Sequence, residues 1–155
     1  MANNSFYFNK GLVSEKVAKL LKEHHFHEPC YYSLHGGYGS DKVVTTHNKA
    51  KDFNGPEYAH ASTEWISVPY IQDALSWLDN LGVCIIQVFP LVYYGKVKFA
   101  FTPLVPRVKD EVGLQLSALL GDDPLYYDTR IEATDAALEV ALTKPEIWTS
   151  TKHTI

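Results

Sequence analysis

"VCIIQVFPLVYYGKVKFAFT", residues 83–102, carries the clearest hairpin pattern in the chain. Two runs of β-branched and aromatic residues flank Tyr94-Gly95. A two-residue turn there places Val92 opposite Val97 and Val88 opposite Phe101. On that register Ile86, Val88, Val92, Val97, Phe99 and Phe101 share one face, which is expected to belong to the core. Alternation sends Phe89, Leu91 and Tyr93 to the opposite face, leaving it more apolar than a solvated sheet surface needs to be. These three are therefore expected to form an interface with another chain. A two-fold homodimer is the commonest arrangement, and the chain's own residues 103–127 are the rival cover. Pro90 has no N–H to give the ladder, so its strand should be bulged or lie at an edge.

Upstream of the hairpin, Pro69 suits the first turn of a helix. Ile71, Leu75, Leu78 and Leu81 form the apolar stripe of that helix, and Gly82 closes it. Earlier still, "SEKVAKLLKEHH", residues 14–25, sets Val17, Leu20, Leu21 and His24 at helical spacing behind Ser14 as N-cap. "CYYSLH" and "KVVTTH" then read as two strands joined across "GGYGSD", a second hairpin over residues 30–47. Residues 48–62, polar with Asn-Gly-Pro in the middle, read as a long surface loop. Downstream, Val112, Leu116 and Leu119 suggest a helix over 109–121. Thr129 with Glu132 forms a capping-box pattern ahead of a helix whose apolar side is Ile131, Leu138 and Leu142, ending at Pro145.

The order helix, hairpin, helix, hairpin, helix predicts an α+β fold, with an antiparallel sheet built from the two hairpins and helices packed on one face. Shifting the chain by 54 residues lays Val17 on Ile71, Leu21 on Leu75, His24 on Leu78 and Cys30 on Cys84, a candidate helix-hairpin internal repeat.

With 155 residues, 46% of them hydrophobic, the chain is long enough for one core, and residues 1–155 are read as a single domain. A net charge of -4 with scattered lysines gives no general attraction to nucleic acid or anionic lipid, so neither is expected as a partner. No apolar run is long enough to span a membrane and the N-terminus has no leader-like pattern, so the expectation is a cytoplasmic protein. The two cysteines, Cys30 and Cys84, read as buried thiols.

"SLHGGYGSD", residues 33–41, is the stretch that most resembles chemistry. An oxyanion role for His35-Gly36-Gly37 needs a G-x-S-x-G elbow downstream, and none exists. A phosphate loop needs a helix after the glycines, whereas here a strand follows. Residues 35–41 are therefore read as a turn. Its free backbone N–H groups make His35, Gly36, Gly37 and Tyr38 the candidate ligand-binding residues. His24, His25 and His27 invite a metal, but His24 and His25 diverge by about 100° around a helix and no H-x-x-x-H occurs. Neither a metal, a cofactor nor a catalytic residue is assigned. Tyr31-Tyr32, Tyr93-Tyr94 and Tyr126-Tyr127 should each offer one ring to the core and one outward.

"ISVPYIQDALSWLDNLGVCIIQVFPLVYYGKVKFAF" and "DTRIEATDAALEVALTK" resemble a group of small uncharacterised proteins encoded by phages, prophages and mobile elements of Bacteroides-type gut bacteria. Pro69, Trp77-Leu78, the hairpin through Gly95 and the helix from Thr129 to Leu142 carry the likeness. Tyr70 stands where members often have threonine, and Asp79-Asn80 where they have a basic-acidic pair. The resemblance implies a genomic home, in a bacterial host cell, but no chemistry. The absence of a catalytic motif, together with surplus apolar and aromatic surface on the second hairpin, leads to the expectation of a non-enzymatic accessory protein that binds a partner protein, of the phage or prophage type that the resemblance implies. The alternatives are a binder of a small anionic ligand such as a signalling nucleotide, and a histidine- or metal-dependent hydrolase.

Overall fold

The computed structural model describes residues 4–37, 42–59, 62–108, 114–118 and 126–149. In chain order the elements are α1 (Ser5–Asn9), α2 (Glu15–Glu23), β1 (Cys30–Gly37), β2 (Val43–Lys51), a 3₁₀ turn (Pro56–Tyr58), β3 (Thr63–Ser67), α3 (Ile71–Leu81), β4 (Ile85–Tyr93), β5 (Lys96–Val108), β6 (Leu114–Ala118), α4 (Arg130–Thr143) and α5 (Pro145–Thr149). The fold is α+β with every described strand pairing antiparallel. Each hairpin belongs to its own three-stranded sheet, ordered β2-β1-β3 and β4-β5-β6. The chain divides into two compact units, Met1–Ala74 and Leu75–Ile155, with the boundary inside α3.

In the first unit, Ser14 caps α2 by accepting from the Val17 N–H at 3.3 Å. The helix ends in a Schellman arrangement. His25 N–H donates to the Lys22 carbonyl and Phe26 N–H to the Leu21 carbonyl, with His25 left-handed at φ 62°. Leu34 pairs with Ile66 across β1 and β3, and both are fully buried with Val17, Ala18, Leu21 and Phe26. Burying side chains of this size contributes roughly 1.5–3 kcal/mol each. Glu64, on the same face as Ile66, lies within electrostatic reach of Lys19 and Lys22, so α2 covers this face. The chain before α2 is tied in by a bridge from Leu12 to Tyr70 and by the Val13 N–H on the Pro69 carbonyl.

In the second unit, β4 pairs with β5 without interruption from Ile85↔Leu104 to Tyr93↔Lys96, with Val92 opposite Val97 and Val88 opposite Phe101. Tyr94 and Gly95 both have positive φ, 47° and 72°, which makes the turn type I′. β4 is an edge strand, which resolves the position of Pro90. α4 packs against β4 and β5, capped by Thr129, which accepts from the Glu132 N–H at 3.2 Å. Its buried face is alanine-rich (Ala133, Ala137, Leu138, Ala141, Leu142).

Several expectations are corrected. Residues 114–118 form strand β6, not part of a helix, because Leu114, Leu116 and Ala118 also alternate with period two and β5 offers them an open edge. The rest of 109–121 lies outside the described residues. The stretch from His35 to Gly37 is strand, not turn, and Tyr38 lies outside the described residues. The stripe of α3 runs through Ile71, Ala74, Trp77 and Leu78, while Leu81 is 46% exposed. Trp77 offers more apolar surface than Leu75 or Leu81 and draws the stripe towards itself. Residues 48–62 are not all loop: β2 reaches Lys51, and a 3₁₀ turn follows at Pro56.

Candidate functional site

Two surfaces bring chemistry together, one in each unit. In the first, β1 carries Ser33 and His35 on the face opposite Leu34, with Thr45 and Trp65 beside them on the neighbouring strands. Alternation along β2 brings His47 to the same face. Ser33 Oγ and His47 Nε2 share a hydrogen bond of 2.7 Å, and His35 Nε2 and Thr45 Oγ1 one of 2.9 Å. The His35 ring stacks on Trp65 with centroids 4.3 Å apart, and the His47 ring lies 4.4 Å from Phe53. Tyr58 closes the group, 5.0 Å from Phe53 and 5.2 Å from Trp65.

Phe53, 1% exposed, is held over the sheet by polar ties. Its N–H donates to Ser67 Oγ at 3.0 Å. Asn54 accepts from the Ser67 N–H at 2.9 Å and donates from Nδ2 to the Phe26 carbonyl at 2.8 Å. Asp52 anchors the segment by accepting from the Asn54 N–H at 3.0 Å and meeting His27 Nδ1 at 2.9 Å. Burial, then the neighbouring His35 and Lys51, hold His47 below the usual histidine range.

A serine beside a neutral imidazole is the beginning of nucleophilic chemistry, but Ser33 is 0% exposed and sits under this cover. Gly36 and Gly37 pair with Glu64 and Thr63, and the His35 side chain is occupied by Thr45 and Trp65. The backbone that was to cradle a ligand is thus the sheet itself over His35–Gly37. His47 and Trp65 were not singled out as site residues from sequence. The available signal was a serine and a histidine on the facing strands of one hairpin.

A cleft of about 570 Å³ lies on the α2 side of the same unit, lined by Lys19, Lys22, Glu23, His25, Lys42 and Glu64. Its lysines already have partners: Lys19 with Glu15 at 2.6 Å, Lys42 with Glu64 at 2.8 Å, and Lys22 donating to the Trp65 carbonyl at 2.8 Å. The Lys42 ammonium accordingly holds the Glu64 carboxyl below its ordinary range. Among the described residues no group of three or more His, Cys, Asp or Glu could hold a metal ion.

The second surface is the β4–β5 hairpin. Register and alternation place Ile86, Val88, Val92, Val97, Phe99 and Phe101 on one face, as expected, and Phe89, Leu91 and Tyr93 on the other. The first face is only partly covered. Arg130 lies 5.3 Å over the Phe99 ring and Tyr127 stands 6.0 Å from Phe101, whereas Val92 and Val97 at the tip are 75% and 60% exposed. The tip extends past the elements that pack on the sheet, so its valines lie outside the core. On the other face Phe89 and Tyr93 are 42% and 43% exposed, Leu91 is half-buried, and Tyr126 packs 4.7 Å from Tyr93. Tyr94, at the turn, is 89% exposed. Tyr126 and Tyr127 do send their rings to opposite faces, the bridge between Tyr127 and Phe99 setting the alternation.

Both cysteines are free thiols. Burial pushes Cys30 up to about 12 and Cys84 up to about 11, which holds both thiols protonated at neutral pH. No helix among the described residues is long and apolar enough to cross a membrane. Comparison with protein-family models, with curated proteins and with solved structures finds no match.

Proposed function

We propose that the chain is a non-enzymatic binding protein that docks on a partner protein through the β4–β5 hairpin. The observation that carries this reading is the exposed aromatic surface on one face of the hairpin, Phe89 and Tyr93 beside the half-buried Leu91, with Tyr94 exposed at the turn. Contiguous apolar surface on a stable domain marks an interaction site, and tyrosine is enriched at interface centres. The outer edge of β4 favours docking by side chains over strand addition. Pro90 offers no N–H there, and Arg130 Nη1 already donates to the Val88 carbonyl at 3.2 Å. The resemblance of the second half of the chain to phage and prophage proteins supports an accessory role in a bacterial cytoplasm.

The simplest partner is a second copy, with Phe89, Leu91 and Tyr93 at the interface. Lys98, on that face, is already paired with Asp128 within the chain. Sedimentation equilibrium tests it: wild type should be dimeric at tens of micromolar, and Leu91→Lys monomeric with its helical circular dichroism retained. A wild type that stays monomeric at high concentration overturns the homodimer.

A second reading, binding of a small anion such as a nucleotide, rests on the lysine cleft. An anion there must displace Glu64 from Lys42, which weakens the case. A thermal-shift series with nucleotides and inorganic phosphate decides it, since a ligand at 100 times its dissociation constant adds about 2.7 kcal/mol of stability. A flat response removes this reading.

A further inference from the structure

We propose that His47, with Ser33 and Phe53, is a pH-operated latch: neutral, it holds the Asp52–Tyr58 segment on the β1–β3 sheet, and protonated, it lets that segment go. The imidazole is half-buried between a serine that is 0% exposed and a phenylalanine that is 1% exposed. Its Nε2 is committed to Ser33 Oγ at 2.7 Å. A neutral ring can accept the serine proton or donate to the serine oxygen. An imidazolium can only donate, so Ser33 must find another acceptor for its own proton inside the sheet.

The positive groups near the ring belong to the sheet and disfavour protonation whether or not the cover is in place. β1 contributes His35, and β2 itself contributes Lys51, both of which disfavour a second positive charge. The covering segment carries the carboxylates of Asp52 and the exposed Glu57, whose sign opposes release, and Asp52 is already engaged by His27 and the Asn54 N–H. β3 contributes the uncharged Trp65, whose ring centroid is 6.5 Å away. The aromatic faces of Phe53 and Trp65 attract a cation and oppose release, but the net direction for His47 is downward. Burial is the largest of the causes that lower His47, and Phe53 of the cover, 4.4 Å from the ring, supplies it, so the covered state binds fewer protons than the uncovered one. Its stability is present above the ordinary histidine range and is lost as pH falls through it.

The cover is a separable piece. Four polar ties hold it, through Phe53 N–H, the two ends of the Asn54 amide, and Asp52 with His27, while Phe53 is its only fully buried ring. Release would expose Ser33, His35, His47 and Trp65 as one polar-aromatic surface, without disturbing the buried pair Leu34–Ile66 on the other face.

The test is amide hydrogen exchange over residues 53–58 between pH 7.5 and pH 5, corrected for intrinsic exchange, beside an NMR titration of the histidines. In wild type the protection of this segment should fall on acidification, with the His47 ring titrating below 6.5 over the same range. In His47→Gln, which keeps a hydrogen-bonding partner for Ser33, protection should no longer depend on pH in that window. His27→Gln should retain the dependence. Unchanged pH dependence in His47→Gln, or its disappearance in His27→Gln, overturns the latch. Should His47→Gln fail to fold, the wild-type data decide alone: a His47 midpoint at or above 6.5, or one that does not coincide with the loss of protection, overturns it equally.

Discussion

Pro90 lies opposite Phe99 in the β4–β5 ladder, and Phe99 spends both its N–H and its carbonyl on Tyr127, at 2.9 Å each, on the far side of β5. Pro90 and Phe99 are therefore a pair without mutual backbone hydrogen bonds, and the missing proline N–H would have pointed outward from the edge. The proline removes nothing from the sheet and takes a donor away from the surface on which another strand might pair.

It follows that Pro90→Val should leave stability within about 1 kcal/mol of wild type while making β4 a better template for edge-to-edge pairing. Light scattering through a concentration series should show larger assemblies than wild type forms. Equal scattering from the two proteins would mean that Arg130 on the Val88 carbonyl blunts the edge by itself.

The turn at the hairpin tip carries a cost at one residue. Tyr94 sits at φ 47°, a region that asparagine and glycine tolerate and a bulky side chain occupies at a penalty of about 1 kcal/mol. Tyr94→Asn should raise the midpoint of thermal unfolding, and Gly95→Ala, at φ 72°, should lower it by a comparable amount. The tyrosine is 89% exposed, and its edge-to-face contact with the Tyr93 ring at 4.5 Å offsets only part of the strain. If the hairpin is the docking surface, Tyr94→Asn should weaken partner binding as it stabilises the fold, a trade that calorimetry of the two proteins would reveal.

The elements legible in the sequence are those with a local signature. The β4–β5 register follows from Tyr94-Gly95 alone, α2 from Ser14 and α4 from Thr129 with Glu132. What escaped depends on partners distant in the chain. β3, "TEWIS", is five residues long, and its strand character comes from pairing with β1 some thirty residues away. β6 carries leucines that satisfy both periods, and only the open edge of β5 selects one. The histidine cluster escaped for the same reason. Ser33 and His47 meet only through the hairpin's register, and Trp65 joins them only once β3 is known to lie beside β1. At the opposite extreme, α1 and α5 are five residues each, too short to produce a periodic pattern.

The Schellman end of α2 makes a separate prediction about stability. His25 occupies the left-handed position at φ 62°, where glycine carries no Cβ penalty. His25→Gly should therefore stabilise the first unit by roughly 0.5–1 kcal/mol, measured as a shift in the urea midpoint at constant slope. A loss of stability would show that the His25 ring, 6.5 Å from that of His27, supports the turn through its side chain.

The thiols give a probe of opening in both units. Cys30 is 3% exposed and Cys84 is 0% exposed, and their raised pKa values leave almost no thiolate at neutral pH. Native protein should react with a thiol reagent such as dithionitrobenzoate far more slowly than a free cysteine, and both thiols should appear at once in guanidinium. Cys30 lies at the start of β1, where its thiol donates to the Glu28 carbonyl at 3.5 Å. Its labelling rate then reports fraying of that strand, whereas Cys84 reports the chain between α3 and β4. Labelling of Cys30, taken relative to free cysteine at each pH because the thiolate fraction falls on acidification, that accelerates in wild type but not in His47→Gln would mean that the strand end opens together with the cover. An unchanged relative rate would confine the opening to the segment after β2. Fast labelling of either cysteine at neutral pH, with the protein otherwise folded, would contradict the burial of the two thiols.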